Sequence, residues 1–204
     1  MAVEQTVGFN DAFEVFHEPT GTKIVERLTV ITRGKKLQRR DSISPLVGAT
    51  FDLSSGTLKH FDLDDVKGTV MLGFVNEFGS PDCNKQANQM EEIHKTHGSA
   101  ITIVEFSKQD QKTLFKFAKE NNISHPLVSI DHETAIDMGV ALEPEIGPDG
   151  IELADKFWKG ALCRMLVVAG GPQKIVEFID QLVDQAQQPN YEAALIVAKS
   201  LTSQ

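Results

Sequence analysis

The stretch GFVNEFGSPDC, residues 73–83, organises the rest of the chain. It follows the apolar run TVML at 69–72, which is typical of a buried strand, and it precedes a segment with helical periodicity. The sequence therefore predicts a strand, a loop and a helix, with Cys83 in the first helical turn. Unpaired N–H groups and the dipole of a helix N-terminus favour a thiolate, which is the nucleophilic form of cysteine.

The spacing alone leaves two interpretations of this cysteine open. The thiol is either an activated nucleophile at the helix N-terminus or a small core residue on the inner face of the helix. Residues that would share that face are Cys83, Ala87, Met90 and Ile93. The serine and proline at 80–81 suit the helix start in both cases, because serine is a common N-cap and proline is favoured at the first helical position.

Length, composition and charge bound the class of protein. The 204 residues allow one domain with or without an extension, and 41% hydrophobic residues can build a sizeable core. A formal net charge of −9 argues against nucleic acid or an anionic membrane as the main partner. The sequence has neither a run of about 18 apolar residues nor the pattern of a signal peptide, so we expect a cytoplasmic location.

Strands and helices alternate through most of the chain, which indicates a three-layer α/β domain. Branched apolar runs predict strands at 49–53, 57–61, 69–75, 101–106, 126–130 and 162–168. Amphipathic segments predict helices at 82–97, 109–122, 133–138 and 190–201. The segment 143–153, with two prolines and two glycines, is predicted to be the longest irregular loop.

Three segments are harder to assign than the rest of the sequence. Residues 1–22 lack a period and are interpreted as an N-terminal extension of the domain formed by 23–204. Residues 23–33 alternate apolar and polar side chains, and the glycine and lysine at 34–35 could turn this strand back into a second short one. The run 174–183 fits a helical stripe, yet it follows a strand and the turn AGGP at 169–172, as the second arm of a hairpin would.

Three parts of the sequence together resemble the thiol peroxidase branch of the peroxiredoxins. These are the loop before Cys83, the strand ALCRMLVV at 161–168 and the ending PNYEAAL at 189–195. The resemblance runs from about residue 24 to the end of the sequence. It implies a thioredoxin-like three-layer sandwich with an N-terminal β-hairpin extension, and it implies that 174–183 is the last strand of the sheet rather than a helix.

The resemblance also implies a catalytic set of Cys83, Ser80 and Arg164, without a metal or another cofactor. Cys83 falls on the peroxidatic cysteine, which attacks a hydroperoxide and becomes a sulfenic acid. Ser80 falls where the family has a threonine whose hydroxyl binds thiolate and peroxide. Arg164 falls on the arginine that lowers the pKa of the thiol, and an arginine in an apolar strand needs an anionic partner in any case.

Two departures from the family pattern bear on activity. Asn76 stands where the family has a proline that shapes the loop, and the carboxylate of Glu77 beside it could raise the pKa of a nearby thiol. The sequence has no cysteine at 84–162, where the family carries its resolving cysteine. Cys163 should face away from the site, because neighbouring side chains in a strand point to opposite faces.

Two functional hypotheses follow. The first is a one-cysteine peroxidase that reduces hydrogen peroxide or organic hydroperoxides, is regenerated by a thioredoxin-like protein or a low-molecular-weight thiol, and forms a homodimer as its family does. The second is a catalytically degenerate thioredoxin-fold protein that acts as a redox sensor or a protein-binding module. The changed loop and the missing second thiol favour the second; Ser80, Cys83 and Arg164 favour the first.

Overall fold

The computed structural model describes residues 11–17, 24–33, 37–144, 161–182 and 187–203. These residues contain ten β-strands and four α-helices. In chain order they are β1 (Asp11–His17), β2 (Ile24–Arg33), β3 (Val47–Phe51), β4 (Leu58–Asp62), β5 (Thr69–Phe74), α1 (Pro81–His97), β6 (Ile101–Ser107), α2 (Gln111–Asn121), β7 (Leu127–Ser129), α3 (His132–Asp137), β8 (Ala141–Pro144), β9 (Met165–Gly170), β10 (Ile175–Gln181) and α4 (Tyr191–Thr202).

Seven of the strands form one sheet in the order β10-β9-β5-β6-β7-β3-β4. The central strand β5 is parallel to β6 and antiparallel to β9, so that Gly73 lies opposite Glu105 on one side and Leu166 on the other. All six residues of β5 and of β9 are buried. This burial explains their near-continuous apolar sequence, because both faces of these strands are covered.

Helices and an irregular segment cover the two faces of this sheet. On one face, α1 and α4 pack over β5, β6 and β9 through Met71, Met90, Ile93, Ile103, Leu166, Ala194 and Ala198. The opposite face is covered by α3 and by residues 37–46, whose apolar side chains join Val70, Leu72, Phe74, Val104 and Val167. The predicted three-layer α/β architecture is confirmed.

Most of the ambiguous segment 174–183 is a strand, β10, which covers Ile175–Gln181. Residues of β10 pair antiparallel with β9 from Ile175 opposite Gly170 to Gln181 opposite Met165, with a register shift between Val176 and Phe178. Pairing with a buried neighbour therefore overrides the helical stripe of the local sequence. The turn between the strands uses positive φ angles at Gly171 (73°) and Lys174 (48°).

The N-terminal hairpin is formed differently from the prediction. β1, inside the predicted extension, pairs antiparallel with β2, and β2 also pairs with β8, giving a separate three-stranded sheet. The sequence predicted a second short strand after the turn at 34–35. This prediction is wrong for residues 37–46, where the structure has only an isolated β-bridge from Ser42 to Ile175. Positions 34–36 lie outside the described residues.

Two further boundaries differ from the prediction. The predicted loop 143–153 begins with two residues of β8, whose partner β2 lies more than a hundred positions earlier; its remaining residues are outside the described part. The strand predicted at 162–168 begins only at Met165 and runs on to Gly170, while Leu162 makes an isolated bridge to Ala141. Within the described residues, no helix has the length and apolar character needed to cross a membrane.

Candidate active site

Cys83 lies in the first turn of α1, in one buried apolar cluster with Val75, the residue that follows β5. Ser80 is the N-cap of α1, and its side-chain oxygen accepts a hydrogen bond from the backbone N–H of Cys83 at 3.4 Å. Pro81 occupies the first helical position, where the absence of an N–H costs nothing. The helix start predicted from these residues is confirmed, and it places the thiol at the positive end of the helix dipole.

The loop before the helix is held by a side chain that the sequence analysis missed. The Gln109 amide accepts a hydrogen bond from Phe78 N at 2.7 Å and donates one to Phe78 O at 3.0 Å. The Phe78 ring packs on Phe117 with 4.8 Å between ring centroids. Gln109 thus satisfies both backbone groups of one loop residue. Asn76, at the family's proline position, is half-buried, and its Oδ1 has no hydrogen-bond partner among the described residues.

Arg164 contacts the sulfur of Cys83 directly. Its Nη2 donates to Sγ at 3.1 Å, and its Nη1 donates to the carbonyl of Gln187 at 3.0 Å. Arginine and cysteine are each only 1% exposed. A buried guanidinium is costly without an anion beside it. The arrangement stabilises negative charge on sulfur and on an oxygen that reacts with it.

Cys163 lies beside Arg164 in sequence but has different neighbours. Its sulfur lies 3.7 Å from the carbonyl oxygens of Arg164 and Leu182, and 3.6 Å from the side-chain amide of Gln181. These last two residues belong to β10 and the residue after it, at the edge of the sheet. The structure therefore brings Ser80, Cys83 and Arg164 together and leaves Cys163 packed against the edge strand.

The segment that leads into α4 closes the site from the other side. Gln188 donates from Nε2 to the carbonyl of Asp82 at 3.0 Å, and its Oε1 accepts a hydrogen bond from the Tyr191 hydroxyl at 3.0 Å. Burial raises the pKa of Tyr191 far above its usual value; Glu105 adds to this effect, and the charge of Arg164 opposes it. We call residues 187–191 the C-terminal strap, because they hold both Arg164 and the first turn of α1.

A buried cluster of two carboxylates and one imidazole lies under the same helix and was also missed. His125 Nδ1 lies 2.9 Å from Glu91 Oε2, and Nε2 lies 2.8 Å from Glu105 Oε2. Burial opposes a charge on His125, but the hydrogen bonds to Glu105 and then Glu91 outweigh it and raise the pKa of the imidazole. We call Glu91, His125 and Glu105 the Glu–His–Glu triad.

The outer carboxylate of the triad is fully hydrogen-bonded. Glu91 accepts from the backbone N–H groups of Ser124 and His125 at 2.8 and 3.2 Å, and from the Ser124 hydroxyl at 2.6 Å. It also forms an ion pair at 3.2 Å with Lys95, whose side chain is 62% exposed. Burial alone would raise the pKa of Glu91, but its hydrogen bonds to His125 and Ser124 lower it. The triad therefore reaches the protein surface at Lys95.

The inner carboxylate of the triad lies beside α1 over a glycine. A Cβ on Gly73 would lie 3.1 Å from Glu105 Oε1 and 2.9 Å from Gln86 Nε2. Any larger residue would displace both side chains, so the glycine makes room for two polar groups in the core. Glu105 Oε1 and Gln86 Oε1 are buried and have no hydrogen-bond partner among the described residues. Gln86 is one helical turn beyond Cys83.

His94 and His97 have the i,i+3 spacing of two metal ligands on one helix. In the parts of the chain that the structure describes, no three His, Cys, Asp or Glu side chains form a group able to hold a metal ion. The His94 ring packs 6.0 Å from that of His125, and burial, then the charge of His125, lowers its pKa.

The residues that were not predicted nevertheless have a signal in the sequence. Glu105 interrupts the branched apolar run 101–106, and a buried carboxylate needs a partner for the same reason as Arg164 does. Gln86 and Glu91 likewise lie on the inner face of α1 next to its apolar residues. The identity of the partner could not be read, because His125 is separated from Glu91 by 34 positions.

Comparisons with known proteins show the family and the fold. The sequence profile described as the AhpC/TSA family matches residues 48–178. Among curated proteins, none matches the sequence significantly. A peroxiredoxin-like protein from Aquifex aeolicus is 15% identical in sequence; the match covers 85% of this chain and 92% of that one, with a TM-score of 0.65.

Two further solved structures have the same fold. AhpC from Mycobacterium tuberculosis is 16% identical, with 83% of this chain and 95% of that chain covered and a TM-score of 0.63. A thiol peroxidase from Chromobacterium violaceum is 10% identical, with 86% and 92% covered and a TM-score of 0.63. At these identities the likeness concerns the fold, and the expected thioredoxin-like fold of the peroxiredoxin type is confirmed.

Proposed function

The chain belongs to the AhpC/TSA family, and from this premise we propose that it is a thiol peroxidase that reduces hydroperoxides through Cys83. The observation that carries the proposal is the 3.1 Å contact between Arg164 Nη2 and the Cys83 sulfur at the N-terminus of α1. A guanidinium and a helix N-terminus both favour the thiolate, which is the form that attacks peroxide.

The reaction follows from this arrangement. The Cys83 thiolate attacks the terminal oxygen of the hydroperoxide, the O–O bond breaks, and its electron pair leaves on the other oxygen, which takes a proton and departs as alcohol or water. The sulfur is oxidised to a sulfenic acid and the peroxide is reduced. Arg164 stabilises the negative charge that passes from sulfur to oxygen. The Ser80 hydroxyl is close enough to the Cys83 backbone to bind the peroxide beside the thiolate.

The one-cysteine mechanism is supported by the position of the second thiol. The chain has two cysteines, and the Cys163 sulfur lies against Leu182 and Gln181 near the edge strand. An intrachain disulfide needs two Cβ atoms about 4 Å apart, and the contacts of the Cys163 sulfur with Gln181 and Leu182 favour a structural role for this residue over that bond. We infer that an external reductant, either a thioredoxin-like protein or a low-molecular-weight thiol, reduces the sulfenic acid. We also propose that the chain forms a homodimer, and sedimentation velocity of the purified protein tests this by measuring its mass in solution.

The test is chemical trapping after one equivalent of hydrogen peroxide. We expect dimedone to label Cys83 in the wild type within seconds, much faster than peroxide oxidises free cysteine, and to leave Cys83→Ser unlabelled. Cys163→Ser is the matched control and should react as the wild type does. A Cys83 that reacts no faster than free cysteine refutes the proposal.

One observation favours the second candidate, a redox sensor or binding module without turnover. The Cys83 side chain is 1% exposed, so a peroxide reaches the sulfur only when neighbouring residues move. A sensor would form sulfenic acid once and hold it. Adding excess peroxide with glutathione or a thioredoxin system separates the two candidates: the peroxidase consumes many equivalents of peroxide per chain, and the sensor consumes one.

A further inference from the structure

The contact between Cys83 and Arg164 joins two distant parts of the chain. Arg164 Nη2 lies 3.1 Å from the Cys83 sulfur, yet the two residues are 81 positions apart. One is in the first turn of α1 and the other precedes β9. A displacement of about 1 Å between reacting groups can slow a reaction about 100-fold. The residues that set the position of Arg164 relative to the sulfur therefore bear on the reaction.

Two adjacent residues of the C-terminal strap bind one partner each. The backbone carbonyl of Gln187 accepts a hydrogen bond from Arg164 Nη1 at 3.0 Å. The side chain of Gln188 donates from Nε2 to the carbonyl of Asp82 at 3.0 Å. That carbonyl and the N–H of Cys83 belong to one planar peptide group. Because the two strap residues are covalently joined, they link the position of the arginine to that of the cysteine.

The peptide group in front of Cys83 is hydrogen-bonded at both of its polar ends. Its N–H donates to Ser80 Oγ at 3.4 Å, and its oxygen accepts from Gln188. The serine is the N-cap of the same helix, so its hydrogen bond holds only the local turn. Gln188 instead connects this turn with a segment 106 positions later in the sequence.

The orientation of the Gln188 amide follows from its two partners. A backbone carbonyl can only accept, so the amide turns its NH₂ group toward Asp82 and its oxygen toward Tyr191. The Tyr191 hydroxyl therefore donates to Oε1, at 3.0 Å. Burial raises the pKa of this hydroxyl, which keeps its proton for the hydrogen bond. The tyrosine is the first residue of α4, and its ring packs on the core between α4 and the sheet, so it is a firm anchor for the amide.

We propose that Gln188 is a positioning residue of the peroxidase reaction and that Tyr191 acts through it. The tyrosine orients the amide, the amide holds the strap against the first turn of α1, and the strap holds Arg164 on the sulfur. Without the amide, the Gln187 carbonyl is no longer held in register with this turn, and the guanidinium moves relative to the reacting atoms. This inference rests on the function proposed above.

The test compares two reagents that both react with the thiolate of Cys83. Hydrogen peroxide passes negative charge to a leaving oxygen, which Arg164 stabilises. Iodoacetamide releases iodide, a weak base that needs no guanidinium. A smaller amount of thiolate would slow both reactions equally, and an uncovered sulfur would speed both. A misplaced Arg164 slows the reaction with peroxide alone.

Gln188→Met removes both hydrogen bonds of the amide at nearly constant side-chain volume. We expect Cys83 oxidation by hydrogen peroxide to slow on the order of 10- to 100-fold, as for a reacting contact displaced by about 1 Å. Alkylation should stay within about twofold of the wild type, because its transition state does not use Arg164. Gln173→Met is the matched control: Gln173 is exposed in the turn between β9 and β10, and its replacement should change neither rate.

Tyr191→Phe tests whether the tyrosine acts through the glutamine. It removes only the hydroxyl and should slow the reaction with peroxide without slowing alkylation. Added to Gln188→Met, it should slow the peroxide reaction further by less than about twofold, because two residues in one hydrogen-bonded network are not additive. Rates are measured by rapid quench and mass spectrometry of Cys83. If Gln188→Met does not fold, as judged by circular dichroism, the two rates of Tyr191→Phe decide the matter.

Each outcome has one meaning. A loss confined to hydrogen peroxide, which the tyrosine variant shares and does not increase, supports the positioning role. Equal losses with both reagents, unchanged rates, a gain with both, or losses that multiply in the double variant overturn it, and a fast wild-type reaction then leaves the proposed function standing. A wild-type Cys83 that reacts with hydrogen peroxide no faster than free cysteine overturns the proposed function, and this inference with it.

Discussion

Replacing His125 with glutamine removes the positive charge at the centre of the Glu–His–Glu triad. The amide can hydrogen-bond one carboxylate, but Glu91 and Glu105 then face each other without a cation between them in a site where all three side chains are 4% exposed or less. Breaking a buried ion pair by removing one partner costs about 3–5 kcal/mol. Since domains are stable by about 5–15 kcal/mol, this loss is a large fraction of the total.

The loss should appear as a lower melting temperature with a characteristic pH dependence. For a chain of this size, 3–5 kcal/mol corresponds to a fall of roughly 6–20 °C. In the wild type the pKa of His125 is raised, so its stabilising contribution is complete below the unfolded value of about 6.5 and is lost as the pH rises through the folded value. His125→Gln should lack this decline above pH 6.5, which amounts to about 1.4 kcal/mol per pH unit in the wild type.

Thermal and urea unfolding followed by circular dichroism at pH 6.5 and pH 8.5 measure both effects. His60→Gln is the matched control, because His60 is exposed on β4, and it should unfold like the wild type at both pH values. A loss below about 1 kcal/mol at pH 6.5, or a decline above pH 6.5 that is as steep in His125→Gln as in the wild type, would refute the charged triad.

Three further changes test other parts of the site. Gly73→Ala adds a methyl group against two buried polar side chains and should lower the free energy of unfolding in urea by about 1–3 kcal/mol; an unchanged midpoint contradicts the close packing. In Arg164→Lys, the single ammonium group cannot contact the Cys83 sulfur and the Gln187 carbonyl as the two guanidinium nitrogens do. This variant should form sulfenic acid roughly 10- to 1000-fold more slowly in a dimedone assay. A rate within a factor of two of the wild type would mean that these two contacts are not needed for the reaction. Gln109→Ala removes the side-chain partners of the Phe78 backbone N–H and C=O groups, and it should lower the free energy of unfolding by about 1–3 kcal/mol. Amide hydrogen exchange at Phe78 should become faster. Unchanged exchange would argue against a structural role of these two hydrogen bonds.

Local chemistry was enough to predict the parts of the site that depend on neighbouring residues. The apolar run before the loop, the N-cap at Ser80 and the proline after it determine a strand, a turn and a helix start within fifteen positions, and the structure has all three. The cost of burying Arg164 predicted an anionic partner, and the structure places the Cys83 sulfur beside it.

Features that depend on distant pairing were missed or misplaced. β8 is a strand only because β2 pairs with it, and the return strand expected after 34–35 is replaced by pairing of β2 with the upstream β1. The local sequence of such a segment does not distinguish a strand from a loop. The segment 174–183 shows the same limit, since its own pattern is helical and pairing with the neighbour β9 makes Ile175–Gln181 a strand.

The C-terminal strap sets an order of events during synthesis. Gln187 and Gln188, which bind Arg164 and the first turn of α1, lie more than a hundred positions after Cys83 and emerge from the ribosome late. Domains fold as units, and a nascent chain that stops before the strap has Arg164 and Asp82 without these partners. Cys83, the nucleophile that we propose, therefore acquires its full set of contacts only after residues 187–188 have been made, and a shorter nascent chain carries this thiol without them.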